Sequence, residues 1–233
     1  MTENEQSTSS SHSPSNEEVR LHKLLVRILL AVMIFEGAYL LYERQWLSLF
    51  LVNLIILTLL APVVFKQQLN VTLPAEFHIS AVLFSFAALY LGEVQQFYQR
   101  IWWWDIALHA TAGLLMGIMG FLLVYILNET ERVRLNLTAG FIAIFAFLFA
   151  ITIGTFWEIF EFAIDQIFQT NMQKPMLGDP SGLTDTMWDV IVNAAGGFII
   201  SFTGWRYLKK DQSFFVHDWI KKFINRNPNM FRK

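Results

Sequence analysis

A chain of 233 residues that is 55% hydrophobic, only 15% charged and carries a net charge of −2 is too poor in charge for a soluble domain, where about 25% is usual. With no cysteine it has no disulfide framework and no thiolate chemistry. No basic surplus or motif points to nucleic acid.

Residues 1–19 are polar, Ser-rich and acidic, which predicts a disordered tail and not a signal peptide, whose leading region is short and positive. Uncharged or nearly uncharged runs then follow at 24–42, 46–65, 77–94, 102–127, 137–157 and 186–205. A span needs about 20 mainly apolar residues, so the pattern predicts an all-α polytopic membrane protein with six transmembrane helices in residues 20–208. The first span follows Arg20 and Lys23 and reads as a signal anchor. Residues 209–233 form a basic tail.

Orientation follows from Lys and Arg. All but Arg44, Arg100 and Lys174 of the 17 fall on the side of the N-terminus, which places both termini in the cytoplasm of a cell-membrane protein. Trp46 and Trp102 to Trp104 then mark the outer interface and Trp205 the inner one. In the tail, Ser213 to Asn225 gathers Phe215, Trp219, Ile220 and Phe223 on one helical face, flanked by Lys221, Lys222 and Arg226. This reads as an interfacial helix on the anionic cytoplasmic leaflet, or simply as a basic tail.

Polar residues converge at the outer ends of the spans. The fourth span opens with Asp105 and His109 at i, i+4; the fifth ends with Glu158, Glu161 and Asp165 at i, i+3, i+7. The sixth opens with Asp185, Asp189 and Asn193 at i, i+4, i+8. Each set occupies one helix face, and Glu93 closes the third span on the same side. Ionisable groups inside a membrane are costly and usually functional. Taken singly, Glu93 or Asp185 is an ordinary solvated helix end, and His109 could be a bonded core histidine. The glycines Gly113, Gly117, Gly196 and Gly197 read as close helix packing, and the stretch 169–184 as an outer loop.

Six acids that converge with one imidazole and no Lys or Arg of their own cannot all be ionised side by side, so protons or a cation must lie among them. Oxygen ligands with one imidazole suit Ca²⁺, Mg²⁺ or Mn²⁺. Such an ion would polarise a phosphoryl oxygen while His109 serves as base. A substrate at that depth is a membrane lipid headgroup.

The set D-x-x-L-H at Asp105–His109, W-E-I-x-E at Trp157–Glu161 and D-T-x-W-D-x-x-x-N-x-x-G at Asp185–Gly196 resembles the YjdF-like family of uncharacterised inner-membrane proteins. More distantly it is similar to VanZ-like proteins and phosphatidylserine synthases. The resemblance implies His109 as base and Glu158 with Glu161 as metal ligands. Ser181 to Thr184 stands where VanZ-like proteins tend to carry an Arg.

The expected activity is hydrolysis or exchange of a phosphate-linked lipid headgroup. His109, Asp105 and Asp189 are the expected catalytic residues. Glu158, Glu161 and Asp165 are the expected ligands of a divalent cation, with Asn193 and Asp185 contacting the bound group. The alternatives are a proton- or cation-coupled transporter and a scaffold with a structural cation. The sequence leaves the oligomeric state open.

Overall fold

The computed structural model describes residues 16–69, 75–129, 137–210 and 225–227. Residues 1–15 of the expected tail, and all of the expected interfacial helix Ser213–Asn225 except Asn225, lie outside the described residues. Asn16 to Val19, read from sequence as tail, already belong to the first helix.

The described residues form helices and no strands, apart from an isolated bridge between Met176 and Asp179 in a loop. They divide into two compact units, with the boundary after Leu59. The first holds α1 (Asn16–Tyr42) and the larger part of α2 (Trp46–Leu69). A short turn joins the two helices, with Arg44 in the left-handed region at φ 58°. Gly37 of α1 faces Leu49 and Val52 of α2.

The second unit carries the remaining helices. Here α3 (Ala75–Ser85) runs on into a π-helical segment, Phe86–Val94. The short α4 (Phe97–Arg100) follows, then α5 (Trp104–Glu129), α6 (Ala139–Phe168) and α7 (Leu183–Lys209). Among the described residues, five stretches are long and apolar enough to cross a membrane: Leu24–Tyr42, Glu76–Val94, Trp104–Val124, Ala139–Phe168 and Leu183–Lys209. In α2 the apolar stretch is shorter, Trp46–Ala61.

The second unit is organised by α5, α6 and α7, which pack on one another. Small residues allow this. A Cβ on Gly113 of α5 would collide with the backbone carbonyl of Asn193 on α7, and one on Gly196 of α7 with that of Ala110 on α5. The glycines expected to bring these spans together do so. At one end of the bundle the core is apolar, with Ile118, Phe121, Leu122, Ile142, Ala146 and Ile200 buried together. The outward faces are apolar as well, as with Ile144 and Leu148 of α6 and Phe198 and Ile199 of α7. A helix apolar on its outer face as well as its inner one suits a lipid surround and not water.

The Thr138 side chain caps α6 by accepting from the Phe141 N–H at 3.3 Å. The helix has 30 residues, or about 45 Å at 1.5 Å per residue. That is longer than a hydrocarbon core of about 30 Å. Its last eleven residues, which carry the three acids, therefore have room to reach the polar boundary.

A candidate acid–histidine centre

At the other end of the bundle the same helices enclose a polar centre. His109, in the second turn of α5, is 9% exposed. Its Nδ1 lies 3.5 Å from Glu158 Oε1 of α6. Its Nε2 lies 3.5 Å from Asp105 Oδ1, one turn earlier, and 3.8 Å from Asp189 Oδ2 of α7. One imidazole is thus ringed by carboxylates from three helices. Asp189 and Glu158 are 1% and 4% exposed. Glu158 has the Thr186 side chain as a hydrogen-bonding neighbour, while Asp189 Oδ2 completes no hydrogen bond among the described residues. Buried polar atoms left in this way are costly, and a ligand with several open positions would relieve them.

Asp105, His109 and Asp189 each offer one ligand atom, and the three atoms lie within 4.8 Å of one another. That group could hold a metal ion. It differs from the expected ligand set of Glu158, Glu161 and Asp165. Carboxylates thus stand beside both ring nitrogens of His109.

The other acids have partners of their own. Glu161 Oε1 accepts from the Trp157 indole N–H at 2.8 Å, one turn back on α6. Asp165 accepts from the Thr170 hydroxyl at 2.6 Å and from the Met172 and Gln173 N–H groups at 2.7 and 2.9 Å. Both of its oxygens are thereby spent on the loop after α6, so Asp165 anchors the chain there. Asp185 Oδ2 accepts from the Lys174 N–H at 2.8 Å, and the Gln173 side chain donates to Thr186 Oγ1 at 2.7 Å. Asn193, expected to contact a bound group, donates to the Ala150 carbonyl of α6 at 3.0 Å, and its Oδ1 completes no hydrogen bond among the described residues. The absence of a side chain at Gly154 makes room for its amide.

The loop itself closes on Asp179, which accepts from the Ser181 hydroxyl and N–H and from the Thr184 N–H and hydroxyl. These bonds hold its carboxyl well below the usual range, the Ser181 hydroxyl first among them. Asp179 thereby satisfies the Thr184 N–H in the first turn of α7, whose N-cap position is Gly182.

Two residues of this region gave no signal in the sequence. The Lys174 ammonium lies 3.2 Å from Glu93 Oε1 and 2.8 Å from the Asn171 carbonyl. It also stands 5.3 Å from the centroid of the Tyr98 ring, within range of a cation–π contact. Tyr98 on α4 packs its ring against Gly92 of the π-helical segment. Burial, followed by the charges of Asp105, Glu93, Glu161 and Asp189, holds its phenol well above its ordinary range. It therefore remains an O–H donor facing acids. The π-helical segment, α4 and the loop after α6 meet at this lysine.

These positions fall in a stretch with known relatives. A family described as "Predicted membrane protein (DUF2238)" matches residues 21–210. The chain belongs to this DUF2238 family of predicted membrane proteins. The matched span takes in every residue of the acid–histidine centre and accords with the YjdF-like resemblance of its three motifs. An uncharacterized protein of Thermotoga maritima is 27% identical over 156 residues, which is 66% of this DUF2238 chain and 74% of the relative. No solved structure matches the chain.

Proposed function

We propose that this protein is an enzyme of the cell membrane that hydrolyses or exchanges a phosphate-linked lipid headgroup at the outer leaflet, with a divalent cation. In this reading six helices span the membrane, α2 being the sixth, and both termini are cytoplasmic, as the distribution of Lys and Arg requires. One observation carries the proposal: a buried imidazole with carboxylates from three helices at 3.5 to 3.8 Å and an unbonded Asp189 oxygen among them. Asp105, His109 and Asp189 would hold the cation. Glu158 would fix the His109 ring by engaging Nδ1, so that Nε2 is presented as a lone pair. A cation so held supplies Lewis-acid polarisation of a phosphoryl oxygen. Asp105, with 20% of its side chain exposed against 2% for Asp189, would face the entrance. The distant resemblance to phosphatidylserine synthases points to the same substrate class.

A transporter needs a polar route through the membrane. The opposite half of the bundle is filled by Ile118, Phe121, Leu122 and Ile142 and offers no ionisable side chain among these core residues.

The test is equilibrium dialysis of the purified full chain against Mn²⁺, Mg²⁺ and Ca²⁺, alongside Asp189→Asn, followed by headgroup release from reconstituted phospholipids. One ion per chain, lost in Asp189→Asn together with headgroup release, is expected. An ion bound without any headgroup chemistry would leave a structural cation in a scaffold. No ion in the wild type would sink the cation altogether.

A further inference from the structure

The end of α7 remote from the acid–histidine centre carries a second organised surface. Phe198, Phe202 and Trp205 stack along one face, with ring centroids 5.7 and 5.8 Å apart. Phe198 is anchored on Phe147 of α6. Below this ladder the Lys209 ammonium lies 5.2 Å from the centroid of the Trp205 ring. Arg206 and Lys210 stand beside it, both exposed. Phe202, Trp205, Arg206, Lys209 and Lys210 line a shallow cavity of about 370 Å³, which presents three cations and, among the described residues, no acid.

Lys209 lies 24 positions beyond Asp185 on the same helix, or about 36 Å at 1.5 Å per residue. A hydrocarbon core is about 30 Å thick, so the two ends of α7 reach opposite interfaces. The positive-inside tendency alone would account for basic residues here. It does not ask for an aromatic ladder leading up to them, or for an ammonium fixed over an indole ring. The order along the helix, apolar rings first and cations last, matches a phospholipid, acyl chain first and phosphate last. Arg206 adds a planar donor fork suited to phosphate oxygens, and the cytoplasmic leaflet supplies anionic lipid.

We propose that this face of α7 binds a single anionic phospholipid. Its headgroup phosphate lies among Arg206, Lys209 and Lys210, and an acyl chain runs along Phe202 and Phe198. The site is independent of the acid–histidine centre, so either can fail without the other.

The experiment is native mass spectrometry of the full chain with phosphatidylglycerol or phosphatidylcholine. Arg206→Gln/Lys209→Gln is compared with Lys221→Gln/Lys222→Gln, which removes the same charge from the tail. The expected result is one retained phosphatidylglycerol, preferred over phosphatidylcholine. Its affinity should fall about fivefold per cation removed from α7 and hold in the tail variant. Phe202→Ala, which leaves the charge intact, should also weaken it. Equal losses in both charge variants would reduce the effect to diffuse attraction and overturn the site. So would equal retention of the two lipids, or full displacement by millimolar inorganic phosphate. Melting temperatures of all variants, read alongside, separate loss of lipid from loss of fold.

Discussion

Along α5, α6 and α7 the two halves of one bundle are held together by different means. Around Ile118, Phe121 and Ile142 the helices meet through apolar side chains and small residues. A Cβ on Gly120 would stand 3.0 Å from the Ala146 Cα. Around His109 and Glu158 the same helices meet through ionisable groups, and Asp189 keeps an oxygen that completes no hydrogen bond among the described residues. The first arrangement gains dispersion and burial at each contact. The second gives up stability unless something fills it. A close-packed half lets the other half keep unmet polar atoms, which is the pattern expected where stability supports a site.

This contrast breaks first at Gly120. Gly120→Leu should drive α5 from α6 and cost up to about 3 kcal/mol, since a Cβ there meets the Phe149 Cβ at 2.9 Å and the Ala146 Cα at 3.0 Å. Thermal unfolding in detergent checks it, and a melting temperature close to wild type would mean the apolar half is looser than its distances say. Glu158→Gln in the polar half should leave the melting temperature unchanged or higher. Its effect should fall on ion affinity, a loss of about 10- to 100-fold, as for a residue that orients a ligand. A large drop in stability without a change in affinity would make Glu158 a structural residue and erase the distinction.

The smallest effect concerns Tyr98. Because its phenol is held above the unfolded value of about 10, the folded state keeps a proton that the unfolded state gives up. The associated stability is whole below about pH 10 and is lost as pH rises through the folded value. Tyr98→Phe should therefore flatten the alkaline fall of the melting temperature above about pH 10. Parallel curves for the two proteins would remove Tyr98 from the acid environment.

Much of this arrangement was legible in residue spacing. Asp105 with His109, Glu158 with Glu161, and Asp189 with Asn193 share helix faces because 3.6 residues make a turn, and the length of the apolar runs brought them to one end of the bundle. Spacing fixes a face but not the rotation of that face toward a neighbour. Asp165 and Asp185, as well placed by periodicity as Asp105, therefore turn out to hold the loop, and Asn193 ties α7 to α6. The Trp157–Glu161 bond could have been found from its i, i+4 spacing. Lys174 and Tyr98 could not, since irregular backbone puts them where they are, and no pattern of residue types encodes that path.

The π-helical segment Phe86–Val94 has one further consequence. Its hydrogen bonds skip one more residue than those of an α-helix, so geometrically it is an α-helix carrying a surplus position. One residue deleted there would restore ordinary helix, barely shorten the span and leave the helix on either side nearly in register. One residue deleted from the plain α-helix before it, Ala75–Ser85, meets no such slack and would turn the two sides of the cut by about 100° relative to one another. The span therefore tolerates a change in length at one place and not at another, a difference that a hydropathy profile would pass unnoticed.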